Sequence, residues 1–134
     1  TDTLGLDQVI PVAKNLLGTP YKWGGKTSLG IDCSGLVQSV LKICGLKIPR
    51  DSTQQRDFFA NDKIQMDAAE PGDLHFFGKD GTVTHVGFSN GGKGILHSQG
   101  FVKEESLDSG HKSVNEKLID IYLSTYTIQR KFRP

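Results

Sequence analysis

The chain contains 134 residues, of which 36% are hydrophobic and 23% are charged, and its formal net charge at pH 7 is +1. A chain of this length folds as one domain that buries roughly two-thirds of its unfolded surface. The balanced charge offers no basic surface for nucleic acid, and no apolar run is long enough to span a bilayer. We therefore expect one domain over residues 1–134, with no binding to nucleic acid and no transmembrane segment.

The first predicted element is a helix near the N-terminus. A possible cap at Asp7 precedes it, and Gly18 followed by Thr19 and Pro20 cannot continue it. Its apolar residues recur at the spacing of one helix face: Leu6, Val9, Ile10, Ala13, Leu16 and Leu17. The loop over residues 21–25 carries a tyrosine and a tryptophan, which either close the edge of the core or form rigid walls for a ligand.

The second predicted helix, residues 33–44, begins with a cysteine. Asp32 is a suitable N-cap and Gly45 a suitable stop. The apolar residues form one continuous stripe: Cys33, Leu36, Val37, Val40, Leu41 and Cys44. A thiol in the first turn lies at the positive end of the helix dipole, which favours ionisation to the nucleophilic thiolate. The adjacent carboxylate of Asp32 opposes ionisation unless capping bonds or a bound amine take up its charge.

Cys33 is open to two interpretations. A free cysteine at the start of a core helix is most often a buried small hydrophobic residue. The small neighbours Ser34 and Gly35 favour a nucleophile instead, because they let a substrate approach the backbone. A disulfide with Cys44 is not expected, because the helix separates the two cysteines by about 16 Å.

The second half of the chain is predicted to form a sheet. Before it, residues 46–52 are expected to be extended and residues 53–60 to form a short helix, while residues 103–120 receive no assignment. Arg50 is either a surface charge or a fork for a carboxylate. β-branched and aromatic residues predict strands over 74–77, 82–89, 95–99 and 126–132. Because helices precede strands, we predict an α+β fold with an antiparallel sheet.

The hairpin between the second and third of these strands brings two histidines together. A turn centred on Gly91 places His85 directly opposite His97, on the same face of the sheet. Such a pair can share a hydrogen bond in which one imidazole orients the other, as the base of a nucleophilic array requires. Gly87 on the same face leaves access open. Otherwise the two histidines are a coincidence of the strand pattern, and a one-residue change of register separates them.

Six short motifs occur in order along the chain: Tyr21-Lys22-Trp23-Gly24-Gly25, Asp32-Cys33-Ser34-Gly35-Leu36-Val37, Pro49-Arg50, Pro71-Gly72-Asp73-Leu74, Thr84-His85-Val86-Gly87 and Ile95-Leu96-His97-Ser98. Each motif alone is modest, but the ordered set is highly specific. It resembles the NlpC-type cell-wall cysteine peptidases over residues 9–132. The resemblance implies a papain-like α+β fold with N-terminal helices packed on an antiparallel sheet. It also implies hydrolysis of peptidoglycan stem peptides between γ-D-glutamate and meso-diaminopimelate or L-lysine.

The resemblance also implies the catalytic residues. Matched by position, Cys33 is the nucleophile, His85 the general base and His97 the third polar residue, which orients His85. Tyr21 matches a tyrosine that lines the active site, where its hydroxyl is suited to stabilise an oxyanion. The mechanism requires no metal and no organic cofactor.

Four further positions match substrate-binding residues of the family. In members that require a free N-terminal L-alanine, the aspartate before the cysteine holds the substrate amine, and Asp32 inherits that role. Ser34, Arg50 and Ser52 match residues around the L-Ala-γ-D-Glu part, with Arg50 suited to its free α-carboxylate. These members also carry an N-terminal SH3-like domain. The sequence shows none, so the chain is either excised from a longer protein with SH3-like domains or a single-domain member.

The implied partner is the stem peptide L-Ala-γ-D-Glu-diamino acid. This substrate places the protein in the cell envelope, periplasmic or secreted, with cytoplasmic recycling of wall peptides as the alternative. Three other functions stay open at this point. Cys33, His85 and His97 are chemically suitable zinc ligands. The domain could instead bind peptidoglycan without turnover, or transfer an acyl group as some relatives do.

Overall fold

The N-terminal helix is shorter than the sequence predicts. The computed structural model describes residues 5–27 and 30–133. A 3-10 turn, Leu6–Gln8, leads into helix α1, Val9–Lys14. Beyond α1 the chain continues in turns as far as Gly18, whose φ of 88° is readily adopted only by glycine. The buried face of α1 packs against the following helix, as its apolar pattern predicts.

Helix α2, Cys33–Cys44, has the predicted bounds, and its whole apolar stripe is buried. The carboxylate of Asp32 caps its start by accepting a hydrogen bond from the N–H of Gly35 at 2.6 Å. Gly45 ends the helix in the left-handed conformation, with φ of 107°. The residue after Gly45 donates its N–H to the carbonyl of Leu41 at 2.8 Å, which satisfies one of the last helical carbonyls. Both cysteines are free, as predicted.

Helix α3, Ser52–Phe58, starts and ends slightly earlier than predicted. Its one buried side chain, Gln55, ties three segments together. The Gln55 Nε2 donates to the carbonyl of Ser34 at 3.0 Å and to the carbonyl of Pro49 at 2.9 Å. These bonds fix the first turn of α2 against the extended segment that precedes α3.

The described strands form a six-stranded antiparallel sheet and a separate two-stranded one, as expected for an α+β fold. The small sheet pairs β1, Lys26–Thr27, with β2, Gly30–Ile31, directly before α2. In spatial order the large sheet contains β3 (Lys63–Ile64), β8 (Tyr122–Tyr126), β4 (Leu74–Lys79), β5 (Thr82–Phe88), β6 (Gly94–Gln99) and β7 (Phe101–Ser106). The strands predicted over residues 74–77, 82–89 and 95–99 are therefore confirmed as β4, β5 and β6.

The prediction of a closing strand over residues 126–132 is wrong. Strand β8 ends at Tyr126, and residues Gln129–Phe132 form the short helix α5. The buried carboxylate of Asp73 accepts a hydrogen bond from the N–H of Ile128 at 3.0 Å, which draws the chain away from the strand direction. The alternating pattern could not reveal this bond, because its acceptor lies far away in the sequence.

Hydrophobic side chains cover both faces of the large sheet. Helix α2 packs against β5 and β6, and together with α1 they form the main core. A second cluster contains Phe77, Ile95, Leu107 and Leu118. Leu118 belongs to helix α4, Glu116–Asp120, which together with most of β7 occupies the region that received no assignment. In the described part of the chain, no helix is long and apolar enough to cross a membrane.

Replacing Gly45 by alanine tests the left-handed stop of α2. Because a residue with a side chain is strained at this φ, we expect Gly45→Ala to lower the free energy of unfolding by about 1 kcal/mol. Urea unfolding followed by circular dichroism measures the change. Gly110→Ala is the matched control, since an added Cβ there has its nearest neighbour 3.6 Å away. Equal losses in the two variants would contradict the backbone explanation.

Candidate active site

Cys33 lines an open cleft, but only 8% of its surface is exposed. Burial raises the pKa of its thiol, and the charge of Asp32 raises it further. Hydrogen bonds to the sulfur from the backbone N–H of Val86 on β5 and from the helix start lower the pKa, but by less. The N–H groups of the helix start thus lower the pKa of the thiol, as predicted, but the expectation of a thiol more easily ionised than a free one is wrong, because burial disfavours the charged form more than these groups stabilise it.

The carboxylate of Asp32 is surrounded by hydrogen-bond donors. One oxygen accepts from the N–H of Gly35 at 2.6 Å and from the hydroxyl of Ser34 at 3.4 Å. The other accepts from the N–H of Gly24 at 2.9 Å and from Nη2 of Arg50 at 2.8 Å. Burial alone would raise the pKa of Asp32, but the bonds from Arg50 and the two backbone N–H groups outweigh it and lower the pKa. The negative charge of Asp32 is thus balanced within the protein by Arg50 and by the backbone N–H groups.

Arg50 connects two of the predicted substrate-binding residues. Its Nη1 donates to the hydroxyl of Ser34 at 2.7 Å, while its Nη2 forms the ion pair with Asp32 at 2.8 Å. Ser52, the first residue of α3, lines the same cleft. One arm of the guanidinium therefore holds the Asp32 carboxylate and the other holds the Ser34 hydroxyl, so in the free protein Arg50 does not grip a carboxylate with both arms.

The cleft has a volume of about 560 Å³. Six of the eight predicted site residues line it: Tyr21, Asp32, Cys33, Ser34, Arg50 and Ser52. Trp23 stands on its rim with 87% of its surface exposed, and Tyr21 is 39% exposed. The two aromatic side chains of this loop therefore form walls of the cleft and do not close the edge of the core. Burial raises the pKa of Tyr21, and the nearby charges of Cys33 and Asp32 raise it further.

His85 and His97 form a hydrogen-bonded pair, although the predicted register is wrong. Nε2 of His85 and Nδ1 of His97 are 2.8 Å apart. Phe88 on β5 faces Leu96 on β6, so the hairpin is shifted by two residues from the predicted pairing. A shift of two keeps every side chain on its face of the sheet. The two imidazoles therefore meet diagonally across the strands instead of directly opposite each other.

Gly87 has a different role from the one predicted. In the observed register it lies opposite His97, and a Cβ at this position would come within 2.8 Å of the His97 Cβ. It would also come within 2.8 Å of the Ile95 side chain. The missing side chain therefore lets the Cβ of His97 and the Ile95 side chain pack closely against the backbone of β5.

Both imidazoles of the pair are held neutral. Burial, with smaller contributions from His97 and Lys103, lowers the pKa of His85 from its ordinary value of 6.5 to about 3. Burial also lowers the pKa of His97, although the carboxylate of Glu105 acts in the opposite direction. At neutral pH the site therefore holds two neutral rings joined by one shared proton.

Glu105 is a member of this array that the sequence analysis missed. Its Oε1 accepts a hydrogen bond from Nε2 of His97 at 2.7 Å. The glutamate lies on β7, which begins after a one-residue turn at Gly100 with φ of 77°. Gly100 between two alternating segments could have revealed this contact. A tight turn at this glycine sets the register of β6 against β7, and this register places Glu105 near His97.

The geometry of the histidine pair bears on the zinc alternative. Within residues 5–27 and 30–133, no group of three or more histidine, cysteine, aspartate or glutamate side chains is arranged to hold a metal ion. The facing nitrogens of His85 and His97 bond to each other, and the outer nitrogen of His97 bonds to Glu105. Both ring nitrogens of His97 are therefore engaged in other bonds, which leaves this ring none for a metal shared with Cys33 and His85.

Comparison with known proteins identifies one family. A model of the NlpC/P60 family matches residues 18–120. The chain is similar to the γ-D-glutamyl-L-lysine dipeptidyl-peptidase of Bacillus subtilis (strain 168), with 39% identity over 95 residues. The match covers 69% of this chain and 31% of that relative. The chain thus spans about a third of the length of this relative.

Solved structures show the same fold. The chain is similar to an NlpC/P60 family protein from Bacillus cereus ATCC 10987, with a TM-score of 0.76 and 30% identity over 96% of this chain and 40% of that one. It is also similar to the NlpC/p60 domain of the peptidoglycan hydrolase SagA, with a TM-score of 0.74 and 29% identity over 91% and 97% of the two chains. These similarities confirm the predicted α+β class.

The buried histidines predict a loss of stability in acid. Burial lowers the pKa of His75 from 6.5 to about 4. Between these values the unfolded chain binds a proton that the folded chain does not, so the free energy of unfolding falls as the pH falls. We expect His75 to account for a loss of about 3 kcal/mol between pH 7.5 and pH 4, measured by urea unfolding.

Two glutamine variants separate His75 from the other histidines. His75→Gln should remove that part of the pH dependence, whatever its effect on stability at pH 7.5. Exposed His111 provides the control, and His111→Gln should follow the wild-type curve. If the free energy of unfolding of His75→Gln fell with pH as steeply as that of the wild type, His75 would not be the cause of the loss of stability in acid.

Proposed function

Because the chain belongs to the NlpC/P60 family, we propose that it is a cysteine peptidase that hydrolyses peptidoglycan stem peptides. The bond cleaved joins γ-D-glutamate to meso-diaminopimelate or L-lysine. One observation carries the proposal: Cys33 lines an open cleft beside the strand that carries His85, and a second imidazole orients that of His85. The name of the B. subtilis relative, a γ-D-glutamyl-L-lysine dipeptidyl-peptidase, supports the choice of bond.

The proposed nucleophile and base are both neutral before substrate binds. Burial raises the pKa of the Cys33 thiol and lowers that of the His85 imidazole to about 3. The thiol therefore loses its proton as it attacks, with His85 as general base. Because Nε2 of His85 is bonded to His97, Nδ1 is the nitrogen that takes this proton.

In the proposed reaction, the sulfur of Cys33 bonds to the γ-glutamyl carbonyl carbon while the thiol proton passes to His85. The carbonyl oxygen becomes an oxyanion, for which the Cys33 backbone N–H and the Tyr21 hydroxyl are suitable donors. The intermediate collapses as the His85 imidazolium protonates the amine of the diamino acid and the C–N bond breaks. Water, deprotonated by His85, then attacks the thioester, the C–S bond breaks as His85 returns this proton to the sulfur of Cys33, and the product leaves with its new γ-carboxyl group.

The residues of the cleft support a role in binding the L-Ala-γ-D-Glu part. Arg50 donates two N–H groups to Asp32 and Ser34, which leaves others for the α-carboxylate of the substrate. Ser52 lies at the start of α3 on the same cleft. Asp32 is the proposed anchor for the amine of a free L-alanine. An ammonium there has to share the carboxylate with Arg50, because both carboxylate oxygens already accept hydrogen bonds.

We further propose that the chain is the catalytic domain of a longer protein with SH3-like domains. The match to the B. subtilis relative covers 31% of that protein's length, which leaves room for other domains there. Peptidoglycan as substrate supports a location in the cell envelope, with recycling of wall peptides in the cytoplasm as the alternative.

A second candidate function is peptidoglycan binding without turnover. Burial of the Cys33 thiol and its raised pKa favour it, because a binding domain needs no reactive sulfur. Alkylation by iodoacetamide near pH 7.5 separates the two functions. A peptidase should lose its turnover in proportion to the fraction of Cys33 that has reacted, whereas a binding domain should show no turnover before or after the reaction.

Removing the sulfur tests the proposed nucleophile. We expect Cys33→Ala to lower kcat/KM by at least about 1,000-fold on L-Ala-γ-D-Glu-diaminopimelate, because no other group forms the thioester. Cys44→Ala is the matched control, since Cys44 is buried at the far end of α2 and should leave kcat/KM within about threefold. Liquid chromatography with mass detection measures the products. Comparable turnover by wild type and Cys33→Ala would refute the assignment.

A pair of substrates tests the role of Asp32. The tripeptide L-Ala-γ-D-Glu-diaminopimelate and its N-acetylated form differ in the charge of one amine. If Asp32 anchors that amine, kcat/KM should be lower for the acetylated form by about tenfold or more, and Asp32→Asn should reduce this preference. Equal kcat/KM values would remove Asp32 from amine recognition without affecting the assignment of the cleaved bond.

A further inference from the structure

We infer that Glu105 is a positioning residue for catalysis, which acts through His97 to fix the tautomers of both histidines. The inference rests on the proposed peptidase function and adds a fourth member to its catalytic array. It stands on the bonding of three side chains that come from three adjacent strands, β5, β6 and β7.

These three side chains lie on one diagonal line across the sheet. His97 faces Lys103 directly on β7, and Glu105 lies two residues further along on the same face. His85 is related to His97 in the same diagonal way on the other side. The bonds along the line are short, at 2.8 Å between the two rings and 2.7 Å between His97 and Glu105. His97 is completely buried, so its two ring nitrogens have these neighbours and no solvent.

The carboxylate determines which nitrogen of each ring carries a proton. An ionised glutamate only accepts hydrogen bonds, so Nε2 of His97 must be protonated. In the neutral ring Nδ1 of His97 is then an acceptor, and Nε2 of His85 must donate to it. This leaves Nδ1 of His85 unprotonated, which is the form that a general base requires. Without Glu105, both rings can adopt the opposite tautomer, in which Nδ1 of His85 carries a proton and cannot accept another.

Further contacts keep Glu105 ionised and in place. Asn115 donates its Nδ2 to the same carboxylate oxygen at 3.0 Å, and its own Oδ1 caps α4 by accepting from Leu118 at 3.0 Å. Lys103 Nζ lies 3.7 Å from that oxygen. Burial would raise the pKa of Glu105, but the hydrogen bonds from Asn115 and His97 lower it. The carboxylate is therefore an acceptor throughout the neutral pH range.

The same chain stabilises charge during the reaction. When His85 accepts the thiol proton it becomes an imidazolium, which still donates through Nε2 to His97. The negative charge of Glu105 favours positive charge on His97, the ring that bonds to His85, whereas the positive charge of Lys103 disfavours it on both rings. Loss of Glu105 should therefore slow the chemical step and leave substrate binding unchanged, because the carboxylate does not line the cleft that holds Cys33.

Three variants test the inference. We expect Glu105→Leu to lower kcat by about 100-fold with KM unchanged within about twofold, because a hydrogen bond to a charged group is lost. Glu105→Gln keeps an oxygen that can accept from His97, and its kcat should stay within about tenfold of wild type. Glu104→Gln is the matched control, since Glu104 is the preceding strand residue and bonds to Asn90 at the surface.

Proton-detected ¹⁵N spectra of the histidine rings give a readout that does not depend on activity. At pH 7.5 the wild type and Glu105→Gln should show protonated Nε2 and unprotonated Nδ1 in both His85 and His97. Glu105→Leu should show a second tautomer population. The inference is overturned if kcat of Glu105→Leu stays within threefold of wild type, or if both rings keep their tautomers in that variant. If the wild type cleaves no stem peptide, the proposed function fails, and the spectra alone decide the role of Glu105.

Discussion

The hydrogen bonding of the Asp32 carboxylate is the constraint on which the cleft depends. This one group accepts from the loop at Gly24, from the first turn of α2 at Gly35 and from the segment before α3 at Arg50. Three pieces of chain that are separate in sequence are thereby joined beside Cys33. The carboxylate can stay ionised there because its charge is paired, which also limits its repulsion of a developing thiolate.

The neutral state of the site follows from its burial. A thiol with a raised pKa and an imidazole with a lowered one do not form a resting ion pair. The sulfur of Cys33 is consequently a weak nucleophile in the free protein and becomes a strong one only as its proton leaves. In this respect the site resembles the pair of a neutral hydroxyl and a neutral imidazole in serine hydrolases, where the proton moves to the imidazole only during the attack. The protonated thiol is also less prone to oxidation, because oxidation proceeds through the thiolate.

Local signals in the sequence were sufficient for α2, its cap and its stop, and for strands β4, β5 and β6. The family resemblance carried by the ordered motifs grouped six residues that line the cleft. Long-range hydrogen bonds were not accessible in this way. Three features depend on how distant strands align: the hydrogen bond that the N–H of Ile128 donates to Asp73 after β8, the two-residue shift between His85 and His97, and the contact of Glu105 with His97. A periodic pattern fixes the face of a side chain, but not its partner across the sheet.

The bare backbone at Gly87 links the identities of two positions on neighbouring strands. Since a methyl group there would lie 2.8 Å from the first carbon of the His97 side chain, the two strands keep their spacing only if position 87 carries no side chain. Substitutions at the two sites should consequently be non-additive, with a double-mutant cycle showing an interaction energy that neither single change predicts. A smaller group beyond the Cβ at position 97 would therefore not make room for a side chain at position 87, because the Cβ itself stays in place.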